Sequence, residues 1–128
     1  MKKKVLIVLS DYYKDISSEL LNNATKGLKK FKIYKIIKVP GVFEIPVTIS
    51  KHINKVDGVV ALGCVIKGKT PHFEFISSSV TNGLINLSIL YKKPIGNGIL
   101  TCLNKKQALA RLDKGIDAAH ATISILNQ

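Results

Sequence analysis

The segment Gly63-Cys64-Val65-Ile66-Lys67-Gly68-Lys69-Thr70 has the spacing G-x-x-x-x-G-K-[ST] of a phosphate-binding P-loop. A strand-like apolar run leads into it and a helix-period stretch follows, as such a loop requires. Its composition argues against that chemistry. Cys64, Val65 and Ile66 are bulky and continue the strand pattern, whereas a loop that wraps phosphate with backbone N–H groups needs small, turn-forming residues. Pro71 lacks the N–H that would open the phosphate-facing helix, and Asp11 is the only plausible magnesium partner. What remains, Lys67 to Glu74, still has chemical content. Gly68 lets the backbone turn, and Thr70 offers a hydroxyl and an N–H to an anion at a helix N-terminus. His72 opens that helix, where the dipole favours a neutral imidazole able to take and return a proton near neutral pH. A first-turn surface histidine is the alternative. His52, near a helix C-terminus, and His120, in mid-helix, read as structural.

Glutamate occurs only at positions 19, 44 and 74. Glu19 belongs to a solvated helix face. Glu44 follows the Pro40-Gly41 turn, where it either caps a helix or accepts hydrogen bonds from a polyol or amine. Tyr12 and Phe43 also follow strand-like runs and are placed to stack on a flat ring, although core packing is the default for any Phe. Arg111 is the single arginine among 20 basic residues, which suggests a position that needs the planar fork for phosphate rather than charge alone.

These residues must be positioned by short strands alternating with helices. The pattern predicts strands over Lys4–Leu9, Lys32–Val39, Asp57–Ile66 and Ile95–Cys102. Helices are predicted from about Asp15 to Lys30, over Phe43–Asn54 with Pro46 in the first turn, and from Phe73 to near Tyr91. Phe73, Ile76, Val80, Leu84 and Leu87 mark the buried stripe of that third helix. Two more helices are expected near Lys105–Leu112 and Gly115–Leu126. This order implies an α/β domain, a four-stranded parallel sheet between helices, with the ligand beyond the carboxyl ends of the strands. The segments at those ends are Ser10–Tyr13, Gly41–Glu44, Cys64–His72 and Thr101–Asn104.

Composition bounds the partners. The chain of 128 residues is one domain, 46% apolar, with a formal net charge of +12. That charge is carried almost wholly by lysines spread along the chain, not by the arginines that read bases, so no nucleic acid is expected. No apolar run approaches the roughly 18–20 residues needed to span a bilayer, and the basic, apolar start reads as a first strand rather than a signal peptide. Cys64 and Cys102 lie far apart without metal or redox spacing, as in a reducing cytoplasm.

Gly41-Val42-Phe43-Glu44-Ile45-Pro46 and Ala61 to Phe73, together with Pro94 to Thr101 and Gln107-Ala108-Leu109-Ala110-Arg111, make the chain resemble the 6,7-dimethyl-8-ribityllumazine synthases of riboflavin biosynthesis over nearly its whole length. The resemblance implies a flavodoxin-like three-layer sandwich and condensation of 5-amino-6-(D-ribitylamino)uracil with 3,4-dihydroxy-2-butanone 4-phosphate. It implies no metal and no cofactor. By position, Tyr12, Val42, Phe43, Glu44, Cys64, Val65, Ile66 and Asn97 fall in the pyrimidine and ribityl site. Lys69, Thr70 and Arg111 fall in the butanone-phosphate site, with Arg111 supplied by a neighbouring subunit, and His72 is the proton-transfer group. Lys67 stands where the family usually has Arg, and Lys69 where it often has Glu or Ala; the second change creates the apparent P-loop. Asn97 stands where many members carry Phe. The expected assembly is a homo-oligomer, with riboflavin synthase as a candidate partner. The absence of an extra amino-terminal segment and the short Leu112-Asp113-Lys114-Gly115 connection favour a free pentamer over a sixty-chain cage.

Overall fold

Every side chain from Val5 to Leu9 is buried in the computed structural model, which describes residues 2–128. These residues belong to β1 (Lys4–Ser10), a central strand paired in parallel with β2 (Lys32–Val39) on one edge and β3 (Gly58–Ile66) on the other. β4 (Ile95–Cys102) completes the order β2-β1-β3-β4, all parallel. Among the described residues that is a flavodoxin-like order of four strands. A strand buried on both faces must be apolar at every position, which accounts for the unbroken run Val5 to Leu9.

Alternation along β1 sends its side chains into two cores. Val5, Ile7 and Leu9 join Ile16, Leu20 and Ala24 of α1 (Lys14–Gly27) and Ala118, Ala119 and Leu126 of α5 (Lys114–Leu126). Leu6 and Val8 face Ile45 and Ile49 of α2 (Ile45–His52) and Val80 and Leu84 of α3 (His72–Tyr91). The result is three layers, with a short helix α4 (Lys105–Leu109) contributing Ala108 to the first core. On the outer edge, Lys32, Lys35 and Lys38 of β2 are exposed.

Three helix ends differ from the sequence expectation, each for a local reason. α1 stops at Gly27 rather than near Lys30, and the chain turns through the Phe31 N–H to Leu28 carbonyl bond of 2.9 Å. The stretch Phe43 to Asn54 is divided into a 3₁₀ turn at Val42–Glu44, α2, and a second 3₁₀ turn at Ile53–Lys55. Pro46 has no N–H to donate back to Val42, so the first turn is closed instead by the Glu44 N–H on the Gly41 carbonyl at 3.2 Å. α4 ends at Leu109, and successive turns, Arg111 N–H to the Ala108 carbonyl and Lys114 N–H to the Arg111 carbonyl, lead into α5. Its start is capped reciprocally: Asn104 accepts from the Gln107 N–H at 2.9 Å, and Gln107 accepts from the Leu103 N–H at 2.7 Å. His52 ends α2 with Nδ1 buried and unpartnered; burial, then Lys35, Lys55 and Lys51, lower its pKa, in keeping with a structural residue.

Glycine underlies α5 where it packs on β4. A Cβ on Gly96 would collide with the Ala118 carbonyl oxygen and meet Thr122 Oγ1 at 2.5 Å. The Thr122 hydroxyl, fully buried, donates to the Val59 carbonyl at 2.8 Å. Gly96→Ala should therefore push α5 off β4 and cost ~1–3 kcal/mol of stability. Gly68→Ala, where nothing lies within 4 Å and φ is not positive, should change stability by less than about 0.5 kcal/mol. Urea denaturation midpoints of the two variants test the contrast.

Candidate active site

Register sets the site. Leu9 of β1 lies opposite Lys38 of β2 and Leu62 of β3, so β1 and β2 end together at Ser10 and Val39 while β3 runs on to Ile66, its last residues standing beside the two loops. Two bonds tie those loops down: the Asp11 N–H donates to the Val39 carbonyl at 3.0 Å, and the Ser17 hydroxyl donates to the Ser10 carbonyl at 2.7 Å. Gly63 admits the approach, since a Cβ there would strike Ser10 Oγ and come within 2.9 Å of Val42 Cγ1.

Beyond these ends is a cleft of about 630 Å³. Tyr12 and Tyr13 line it from the β1–α1 loop, Gly41, Val42, Phe43 and Glu44 from the turn after β2, Cys64, Val65 and Ile66 from the end of β3, and His72 and Ile76 from α3. The position is the switch point of the sheet, where connections from β1 and β3 run to opposite faces. Tyr12 is 72% exposed and Phe43 60% exposed, so two aromatic rings at the mouth present apolar surface to solvent. Glu44 is half-buried and forms no ion pair among the described residues, which leaves its carboxylate free to accept hydrogen bonds. His72 is exposed at the first position of α3, and its backbone N–H reaches Thr70 Oγ1 at 3.4 Å.

Eight of the residues singled out by sequence thus meet in one cleft: Tyr12, Val42, Phe43, Glu44, Cys64, Val65, Ile66 and His72. Lys69 and Thr70 are exposed on the loop before α3 and do not line it. Gly68, expected to let that loop turn, does not use a left-handed conformation. Asn97 borders a separate hollow of about 70 Å³ behind Val42 and Val65, and its Oδ1 accepts from the Ile99 N–H at 3.0 Å. Arg111 opens into a third hollow, about 320 Å³, beside Thr101, Asp113, Lys114 and Asp117. Within one chain, then, the arginine and the imidazole belong to different hollows.

Tyr13, Gly41 and Ile76 complete the cleft without having been singled out as site residues. Tyr13 and Gly41 fall inside the strand-end segments expected to face a ligand, whereas Ile76 carries only a helix-core signal one turn after His72. The apparent P-loop is absent as a loop: Gly63 to Ile66 is strand, part of β3, with its backbone committed to β4. Among the described residues no group of three or more His, Cys, Asp or Glu is placed to hold a metal ion.

The family model for 6,7-dimethyl-8-ribityllumazine synthase matches residues 2–128. Proteins of that name are similar to this chain throughout. One from Cutibacterium acnes is 38% identical over 132 residues, covering 96% of this chain and 80% of its own length. One from Corynebacterium kroppenstedtii is 40% identical over 128 residues, covering 94% and 80%. One from Bartonella bacilliformis is 46% identical over 116 residues, covering 87% and 76%.

Cys64 sits in the cleft wall, and its chemistry follows from its surroundings. Burial, with Cys102 and Asp15 adding to it, pushes its thiol up to about 12, so the nucleophilic thiolate is suppressed and the side chain acts as apolar wall. Alkylation of Cys64 by iodoacetamide at pH 8 should run at least ~100-fold slower in the folded protein than in the urea-unfolded chain. Peptide mass spectrometry reads both rates, and similar rates would make Cys64 a reactive group.

Proposed function

The chain belongs to the 6,7-dimethyl-8-ribityllumazine synthase family, an enzyme family of riboflavin biosynthesis, and from that premise we propose how its own residues carry the reaction. The reaction joins 5-amino-6-(D-ribitylamino)uracil to 3,4-dihydroxy-2-butanone 4-phosphate, giving the lumazine, phosphate and water. One observation carries the assignment: the cleft beyond β1, β2 and β3 combines two exposed aromatic rings, an unpaired carboxylate and an exposed imidazole.

In this reading the flat pyrimidine lies against Tyr12 and beside the end of β3 at Cys64, Val65 and Ile66. The ribityl chain runs towards Val42, Phe43 and Glu44, whose carboxylate accepts from its hydroxyls. The butanone phosphate is held by Lys69 and Thr70 on the loop before α3 and by Arg111 of a neighbouring chain. Asn97 reaches the pyrimidine site across the same contact. The 5-amino group attacks the ketone, and loss of water leaves an imine. The imine acidifies the adjacent C–H, whose proton leaves as phosphate departs from the next carbon. The resulting enol becomes a ketone, and the second nitrogen closes the ring with loss of a second water. Each stage moves a proton between nitrogen, carbon and oxygen, and His72 is the group at the cleft rim to carry it. Holding both substrates in one orientation supplies the rest.

Arg111 faces a different hollow from His72 in the same chain, which supports a site shared between subunits. Val47 of α2 and Phe75, Ile85, Ile89 and Leu90 of α3 are exposed, apolar surface of the kind an interface covers. We favour a homopentamer over a sixty-chain cage. A cytoplasmic location belongs to the same proposal and is supported by the two free, buried cysteines. No helix among the described residues is long and apolar enough to cross a membrane. Riboflavin synthase, which consumes the lumazine, is the further protein partner this reading names.

His72→Ala should slow formation of the fluorescent lumazine by ~10²–10⁴-fold over background, with the thermal melt and particle size unchanged. Turnover at the parent rate with both substrates saturating would make His72 an ordinary surface residue. The shared site has a separate test. His72→Ala and Arg111→Ala chains, each nearly inactive alone, should regain activity when unfolded together and reassembled. Random mixing of equal amounts gives about a quarter of the sites one intact His72 and one intact Arg111. Light scattering should report five chains per particle. No recovery in mixed particles, or a fully active monomer, would overturn the sharing.

A further inference from the structure

Tyr12 is 72% exposed, more than Phe43 across the cleft mouth, and an aromatic side chain so open to water has little packing to fix its plane. Its neighbour differs. Tyr13 is half-buried and packs against the core that α1 and α5 share with the sheet, and burial raises its phenol pKa. Its backbone is pinned as well, since the Tyr13 carbonyl accepts the Ser17 N–H at 2.9 Å at the start of α1. On the other side of Tyr12, Asp11 is held by its bond to Val39, and Asp15, beyond Tyr13, pairs with Lys105 at 2.9 Å. Tyr12 is thus the one free ring between fixed points. The two tyrosine rings meet edge to face, with centroids 4.8 Å apart and planes at 78°. That is the geometry in which one ring's positive edge rests on the other's negative face.

We propose that Tyr13 is a positioning residue for the pyrimidine substrate: its core-anchored ring holds Tyr12 in the plane that stacks on the uracil. The proposal rests on the reading of Tyr12 as the stacking residue and adds the group that orders it. Before substrate arrives, the contact has already limited the rotation of Tyr12, so less freedom is lost on binding. The benefit falls on pyrimidine binding, not on the proton transfers at His72 or on phosphate recognition. The Tyr13 hydroxyl plays no part in it.

Tyr13→Leu keeps an apolar side chain and removes the aromatic edge. It should raise KM for 5-amino-6-(D-ribitylamino)uracil by about 2- to 12-fold, the range for ordering one side chain on binding. The kcat and the KM for the butanone phosphate should stay within about twofold of the parent. Tyr13→Phe, which retains the ring, should restore the parent KM. In a Tyr12→Leu background, Tyr13→Leu should add almost nothing, because the ring it orders is gone. If Tyr13→Leu loses its cooperative melt, Tyr13→Met, more adaptable in a core, takes its place in the same cycle. An equal rise in both KM values, or a Tyr13→Phe variant as impaired as Tyr13→Leu, overturns the positioning role. So does a full Tyr13→Leu effect in the Tyr12→Leu background, which leaves the stacking role of Tyr12 standing. An unchanged pyrimidine KM in Tyr12→Leu alone removes the stacking role, and the proposal falls with it.

Discussion

β1 carries the architecture. Like β3 it has hydrogen-bonded partners on both edges and helices on both faces, and from Val5 to Leu9 its side chains are at most 1% exposed. Odd positions feed one core and even positions the other, so a slip of one residue would exchange the two cores. The same fixed register ends β1 and β2 together at Ser10 and Val39 and carries β3 on to Ile66, and the cleft forms beside that step. Precise placement of the site therefore comes from apolar residues that touch no substrate.

The loops that build the cleft are held by small residues and backbone bonds more than by side-chain networks. Gly63 gives up its side chain to Ser10 and Val42, the Asp11 N–H closes on Val39, and the Ser17 hydroxyl closes on Ser10. Polar groups that face the cleft are correspondingly uncommitted: among the described residues Glu44 has no cationic partner, and His72 is bound only through its main chain. An uncommitted carboxylate and imidazole are costly in a core but inexpensive at a water-filled mouth. Side chains left without internal partners can exchange water for substrate without first breaking a protein contact.

Much of this was legible in the sequence, for identifiable reasons. Lys32–Val39 and Ile95–Cys102 match their strands to the residue, because β-type runs there end at turn residues or begin after a proline. The long helix through Val80 and Leu84 was readable from its stripe. Helix ends were less readable, since the loss of the Pro46 donor and the turns from Arg111 to Ile116 act through individual hydrogen bonds that periodicity does not record. Within the site, residues at strand ends were found by topology. The separation of Arg111 from His72 was implied by the resemblance, which assigns Arg111 to a neighbouring subunit, and not by topology, because it depends on how the turn between α4 and α5 folds back. Tyr13 was visible as a strand-end aromatic, but the edge-to-face contact that distinguishes it is a fact of geometry alone. The G-x-x-x-x-G-K-T spacing shows the converse: a pattern met in full by residues that form a strand.

The lysines along β2 have a consequence for how the protein behaves when crowded. β2 is an edge strand, and an edge offers a row of unpaired backbone groups to any other strand that approaches. Lys32, Lys35 and Lys38 stand exposed along it, so a second copy docking edge to edge would bring like charges together as its ladder formed. That repulsion weakens over the ~8–10 Å Debye length of ordinary buffers and nearly vanishes in molar salt. The edge thus acts as an ionic-strength-dependent guard against fibre growth, and concentrated preparations of this chain are safest from strand-to-strand aggregation where the salt is low.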